Sequence, residues 1–198
     1  MQVLDGFVVL EGLDGAGTTT QLQKLDRFLN GKGKAHLVQA EPTDGPIGRL
    51  IRDVLQHKHS VQPWTLAMLY AADRNEHVAR IEQEIAGGNM VVCDRYLYSS
   101  LAYQGVTCPW EDVWTLNQHY PHPSTILYID TPVEECMKRI SHRGEPVELF
   151  EHQEYLTKVR DGYERAFSHL PAGVRMVRLD GAAEPEEIFR KICQVLPD

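Results

Sequence analysis

Apolar residues along the chain alternate between short unbroken runs and longer stretches in which they recur every three or four positions. Runs at Phe7–Leu10, Ala35–Gln39, Met90–Cys93, Ile126–Ile129 and Val174–Leu179 predict five strands. The first, third and fourth are nearly continuous, as in strands covered on both faces. Leu22, Leu25, Phe28 and Leu29 mark one face of a helix over Thr19–Asn30, with Gly31 as its expected C-cap. Ile47, Leu50, Ile51, Val54 and Leu55 mark a second. Further helices are expected over Pro63–Ala86, Glu111–Gln118, Val133–Ile140, Glu151–Ser168 and Glu184–Leu196. This alternation predicts an α/β fold, a five-stranded parallel sheet with helices on both faces. No repeat or Pro/Ser-rich linker interrupts the 198 residues, so one domain is expected over 1–198.

Ligands of such sheets sit beyond the carboxyl ends of the strands. There the chain places Glu11-Gly12, Glu41-Pro42, Asp94-Arg95, Asp130 and Asp180, a polar rim. Composition mainly excludes. A formal net charge of -8 leaves no basic face for nucleic acid, although a phosphate site needs only a few local donors. Cys93, Cys108, Cys136 and Cys193 are scattered without zinc spacing and read as reduced thiols of a cytoplasmic protein. The first residues carry no positive n-region, and the longest early apolar run is Phe7–Leu10. Neither a signal peptide nor a membrane span is expected. His57 and His59, and likewise His119 and His122, are close in sequence but lack a metal-site setting, so they read as polar surface residues. Trp64, Trp110 and Trp114 read as packing or subunit-contact residues.

The chemistry concentrates at Gly12-Leu13-Asp14-Gly15-Ala16-Gly17-Thr18-Thr19, between the first strand and the first helix. Its spacing is that of a phosphate-binding P-loop. Glycines let successive N–H groups turn inward, and the helix N-terminus adds partial positive charge. Thr19 falls where a hydroxyl ligates Mg²⁺. The motif calls for lysine at position 18, whose charge follows the transferring phosphoryl group, and this chain has Thr18. Loss of one such donor costs about 3–4 kcal/mol, or two to three decades in rate, unless another cation substitutes. Two readings stay open: an altered working site, or a protein that binds nucleotide without catalysing. Met90-Val91-Val92-Cys93-Asp94 reads as a strand ending in a metal-organising carboxylate. Arg95 beside it could hold an acceptor phosphate or form a structural ion pair with Asp94.

Several segments appear together and in order: EGLDGAGTTTQ (11–21), EPTDGPIG (41–48), YAADR (70–74), DRYLYSSLAYQG (94–105) and VRDGY (159–163). With them the chain resembles the thymidylate kinases, P-loop nucleoside monophosphate kinases, essentially end to end. The resemblance implies a P-loop NTPase fold with a small mobile lid at about 142–152. It implies transfer of the γ-phosphate of ATP to dTMP to give dTDP, with ATP and Mg²⁺ as cofactors. Homodimers formed through helices beside the acceptor site are also implied. On the matching positions it places Asp14 on the deoxyribose 3′-hydroxyl, Tyr70 on the face of the thymine, and Arg74 on its carbonyl side. Arg95 would take the dTMP phosphate. Ser99, Ser100 and Gln104 would read the base edge, with Tyr103 at the sugar 2′ position. Without the family pattern Tyr70 and Tyr103 could also be core aromatics, and Arg74 a surface cation of its helix.

On the donor side the resemblance places Arg143 near the adenine and phosphates, with His142 beside it. It also shows three missing cations. Position 18 has threonine, the arginine before Glu41 is Ala40, and the place of the lid arginine is held by Glu148-Leu149. Arg139 and Arg143 on the donor side, with Arg49, Arg74 and Arg95 on the acceptor side, are the candidates to compensate. The expected catalytic set is Asp94, Arg95 and Arg143, and the expected metal ligands are Thr19 and Asp94. Two alternatives follow from the lost charge and the open acceptor: a catalytically impaired sensor or regulatory protein, and a kinase with another acceptor.

Overall fold

The computed structural model describes residues 2–144 and 146–196. Met1, Pro197 and Asp198 of the expected domain, and Glu145 of the expected lid, lie outside the described residues. The chain runs β1 (Val3–Gly12), α1 (Thr18–Gly31), β2 (His36–Ala40), α2 (Pro46–Leu55), α3 (Pro63–Ala86), β3 (Met90–Asp94) and α4 (Leu97–Tyr103). A 3-10 turn at Gln104–Val106 leads into α5 (Trp110–Asn117), β4 (His122–Asp130), α6 (Val133–Arg143), α7 (Gln153–Phe167), β5 (Arg175–Asp180) and α8 (Pro185–Val195). All pairings are parallel, in the order β2-β3-β1-β4-β5. The order reverses about β1, so the loop leaving β1 lies at the topological switch point, where open α/β sheets bind their ligands. Val8, Val9 and Leu10 of β1, Val91 and Val92 of β3, and Ile126 to Ile129 of β4 are fully buried, as their unbroken apolar runs require.

The expected elements are present, with differences that have local causes. β1 and β4 extend toward their N-termini, where Val3 pairs with His122 and Leu4 with Pro123 before a register shift around Asp5-Gly6. That polar interruption hides the first turn of β1 from a hydrophobicity reading. Gly31 still belongs to α1. Lys32 is the C-cap, and the left-handed residue is Gly33, at φ 65°. α4 was not expected. Leu97, Tyr98 and Ser100 to Tyr103 are all buried, so the helix has no polar face and gives no 3.6-residue periodicity.

α7 crosses α4 at Gly162, where an added Cβ would lie 2.8 Å from the Ala102 carbonyl oxygen. Gly162→Ala should therefore destabilise the fold by roughly 1–3 kcal/mol through overpacking, despite alanine's better helix propensity. The midpoint of urea unfolding measures it, and an unchanged midpoint would mean that α7 can move aside.

The surface reading holds for His57, His59 and His119 but not for His122, which is fully buried with Nδ1 2.7 Å from the Tyr98 hydroxyl. Burial lowers its pKa to about 4. The unfolded chain takes up this proton near pH 6.5, whereas the fold resists it until about pH 4. The stability it contributes is thus present above pH 6.5 and lost as the pH falls toward 4. In His122→Gln the loss of stability between those values should be shallower; equal slopes in pH-dependent urea unfolding would refute this.

Candidate active site

The glycine-rich loop closes tightly at the carboxyl end of β1. Gly15 and Gly17 take left-handed backbone, φ 78° and 99°, and an added Cβ on Gly15 would lie 2.7 Å from the Cys136 carbonyl oxygen. Gly17 caps α1, so the free N–H groups of that helix open at the loop. Thr18 is buried with its methyl turned toward Gly12. Thr19 Oγ1 donates to Asp94 Oδ2 at 2.9 Å. Asp94 Oδ1 is buried with no protein partner. A hydroxyl beside a carboxylate with an unsatisfied oxygen, at the mouth of a phosphate loop, is a donor set that suits Mg²⁺.

A cavity of about 360 Å³ lies over the loop and reaches Asp94, Arg95, Arg139, Arg143, Glu148 and Glu151. Arg139 spans its outer edge, donating to the Ala16 and Gly181 carbonyls at 3.3 and 3.0 Å and to Glu135 at 3.0 Å. Arg143 Nη2 donates to Glu151 Oε1 at 2.7 Å, while Glu151 Oε2 accepts the Glu148 N–H at 2.8 Å. Leu149 N–H then reaches the Leu55 carbonyl at 3.0 Å, which fastens this segment to α2.

Arg95 stands between this cavity and the next. Its φ is 67°, a conformation unusual outside glycine. Nη2 donates to Asp14 Oδ1 at 2.6 Å and Nη1 to the Gly12 carbonyl at 2.9 Å, while the guanidinium lies 5.0 Å from the centre of the Tyr103 ring. Tyr103 in turn accepts the Asp14 N–H at 2.9 Å. Burial pushes the Tyr103 phenol well above its ordinary pKa, which keeps it neutral.

The second cavity, about 280 Å³, is lined by Tyr70, Arg74, Ser99, Ser100, Tyr103 and Gln104. Asp14, Arg95 and Glu148 line both cavities. Arg74 is no surface cation: it is 1% exposed, with Nε and Nη2 donating to Glu41 Oε2 at 3.0 and 2.7 Å. Nη2 also donates to Ser100 Oγ at 2.9 Å, and Nη1 donates to Asn117. Two expectations change. Arg49 is exposed and turned to the Asp44 carbonyl, and Arg52, three residues further along α2, is the one lining the cavity. Ser99 borders the cavity, but its hydroxyl is committed to Glu11 at 2.5 Å rather than to a base edge.

Glu41, Asn117, Tyr163 and Glu11 were not singled out from the sequence. Glu41 and Glu11 were visible as two of several strand-end acids and as the first residues of the EPTDGPIG and EGLDGAGTTTQ segments, with no role attached. Of the others, Asp130 holds Arg160 and Arg178 at 3.1 and 2.7 Å, and Asp180 accepts the Ala182 N–H, so both are structural.

The thymidylate kinase family model matches residues 10–192. The chain is 40% identical over 202 residues to the "Putative thymidylate kinase" of Treponema pallidum (strain Nichols), an alignment covering 99% of this chain and 97% of that one. It is 37% identical to the "Probable thymidylate kinase" of Methanococcus aeolicus over 201 residues, 98% of this chain and 97% of the relative. A "Putative thymidylate kinase" of Aeropyrum pernix is 41% identical over 178 residues, 88% and 85% of the two chains. A glycine-rich loop at the switch point, a second cavity reached by the arginine after β3, and relatives aligned along nearly the whole length agree: the chain belongs to the thymidylate kinase family.

Proposed function

We propose that this protein is a dTMP kinase that transfers the γ-phosphate of ATP to dTMP with the help of Mg²⁺. The observation that carries the reading is Arg95, a cation shared by the phosphate-loop cavity and the acceptor cavity. The loop N–H groups and the α1 N-terminus bind the donor phosphates, with Arg139 and Arg143 at the outer side. Thr19 and Asp94 would hold the metal ion, which neutralises phosphate charge. Arg95 holds the acceptor phosphate in line, and one of its oxygens forms the new P–O bond as ADP departs with the bridging electrons. That oxygen is already anionic near neutral pH, so no general base is needed. Tyr70 covers the thymine, Arg74, Ser100 and Gln104 close its edge, and Asp14 and Tyr103 meet the sugar. Thr18 removes a charge, and Arg95, bonded to Gly12 and Asp14 of the loop, keeps a cation at the same cavity, which favours a working kinase over the impaired binding protein.

The test is ADP release from Mg-ATP with dTMP, dUMP, dCMP, dAMP and dGMP offered separately. Turnover with dTMP at about 1–100 s⁻¹ is expected. Its absence, with both nucleotides bound, would establish the binding-only reading, and a preference for another nucleotide would replace the acceptor.

The same proposal includes a cytoplasmic homodimer. Supporting it, Leu50 of α2 and Trp64 and Met68 of α3 are 38%, 38% and 43% exposed, and the four cysteines are free. Among the described residues no helix is long and apolar enough to cross a membrane. Sedimentation equilibrium checks the stoichiometry.

A further inference from the structure

Arg95 is held from behind as well as from the loop. Its Nη1 donates to Ser99 Oγ at 3.2 Å and to the Tyr163 hydroxyl at 3.3 Å. Both hydroxyls turn to one oxygen of a single carboxylate. Ser99 Oγ donates to Glu11 Oε2 at 2.5 Å and the Tyr163 hydroxyl donates to it at 3.0 Å. The other oxygen, Oε1, accepts the N–H groups of Tyr96 and Ser99 at 3.1 and 3.3 Å. Tyr96 directly follows Arg95, whose left-handed backbone needs a partner to offset its conformational cost. Glu11 thus meets Arg95 at both ends, the backbone through one N–H and the guanidinium through two hydroxyls. It is fully buried and lines neither cavity, so it has no route to a substrate of its own.

We infer that Glu11 is a positioning residue for phosphoryl transfer: its carboxylate orients Ser99 and Tyr163 and pins the turn at residue 95, and so sets where Arg95 meets the acceptor phosphate. This rests on the reading of Arg95 given above. A buried carboxylate is an expensive way to fill space. Burial pushes the Glu11 carboxyl up to about 7, against the opposing pull of the Ser99, Tyr163 and Tyr96 hydrogen bonds and of Arg95. A side chain needed only for packing would be better neutral. An ionised acceptor obliges the Ser99 hydroxyl to donate, with a lone pair toward the guanidinium, and draws the Tyr163 hydroxyl from its alternative acceptor, the Gly12 carbonyl at 3.0 Å. An amide or a protonated acid would allow several hydrogen-bond arrangements and let the guanidinium drift.

The experiment compares Glu11→Gln with the wild type in steady-state kinetics, dTMP and ATP equilibrium binding, and thermal unfolding at pH 8. Glu11→Gln should lower kcat/KM for dTMP by at least tenfold, carried mostly by KM, and weaken dTMP binding in proportion. ATP binding should stay within twofold and the melting temperature should hold or rise, because the costly buried charge is gone. In an Arg95→Lys background the same substitution should add less than threefold. Tyr163→Phe, which keeps the ring packed on Phe167, should reproduce the acceptor defect at roughly threefold to tenfold and serves if Glu11→Gln does not fold. Acceptor constants within twofold of wild type in the folded variant would overturn the inference. So would equal losses for ATP and dTMP with a lower melting temperature, the mark of a merely structural residue. A wild type that binds dTMP without turnover would end the catalytic reading while the binding comparison still decides the role of Glu11, and one that does not bind dTMP would end both.

Discussion

Arg95→Ala should lower kcat/KM for dTMP by about three decades, roughly 4 kcal/mol of transition-state stabilisation. Three observations set that size. Arg95 lines both the phosphate-loop cavity and the acceptor cavity, so its charge lies where donor and acceptor oxygens approach. Its Nε makes no hydrogen bond among the described residues, which leaves a donor for a phosphate oxygen beside the bonds that fix the guanidinium. Thr18 supplies no charge at the loop, so no lysine shares the work. Arg95→Lys keeps the charge but cannot bridge Gly12, Asp14 and a phosphate at once, and should lose about two decades. ATP affinity should change little in either variant, because Arg139, Arg143 and the loop N–H groups remain. Steady-state kinetics with both substrates varied would check this. A variant whose kcat/KM falls less than tenfold would place the acceptor phosphate elsewhere, with Arg52 the next cation on that cavity wall.

How far the site was legible beforehand depends on sequence distance. The loop could be read because its residues are consecutive and sit between a strand and a helix. Thr19 could be read because it follows the loop glycines into α1, and Asp94 because it ends β3; the pairing of β1 with β3 brings that strand end beside the loop, where the two side chains meet at 2.9 Å. Arg52 was missed in favour of Arg49 because the two stand about one turn apart on the same side of α2, and the apolar stripe alone does not say which of them reaches the cavity. Glu11 was missed for a different reason. Its partners Ser99 and Tyr163 lie 88 and 152 positions away, and one of them belongs to α4, a helix with no polar face to reveal it. Glu11 and Tyr163 stand in the EGLDGAGTTTQ and VRDGY segments, yet a segment read along the chain does not show that the two side chains meet.

Asp94→Asn separates charge from geometry at the metal site. The residues lining the loop cavity carry three guanidinium groups, Arg95, Arg139 and Arg143, against the four carboxylates Asp14, Asp94, Glu148 and Glu151. A nucleotide polyphosphate therefore enters a cavity with a small formal excess of negative charge, and Mg²⁺ is what makes the balance favourable. The amide keeps the size of Asp94 and an oxygen for the Thr19 hydroxyl, but removes one negative charge. Metal-free ATP should bind as well as or better than it does to the wild type. Mg²⁺ should be held less well, so the concentration giving half-maximal rate should rise at least tenfold, and kcat at saturating metal should fall by roughly two to three decades. Opposite signs for metal-free binding and for turnover distinguish a lost ligand from a collapsed loop, which would weaken both. Titrating Mg²⁺ at fixed ATP and dTMP, with ATP binding measured in EDTA, provides both numbers. Weaker metal-free binding together with an unchanged Mg²⁺ requirement would show that Asp94 orders the loop through Thr19 and that the ion is carried by the nucleotide alone.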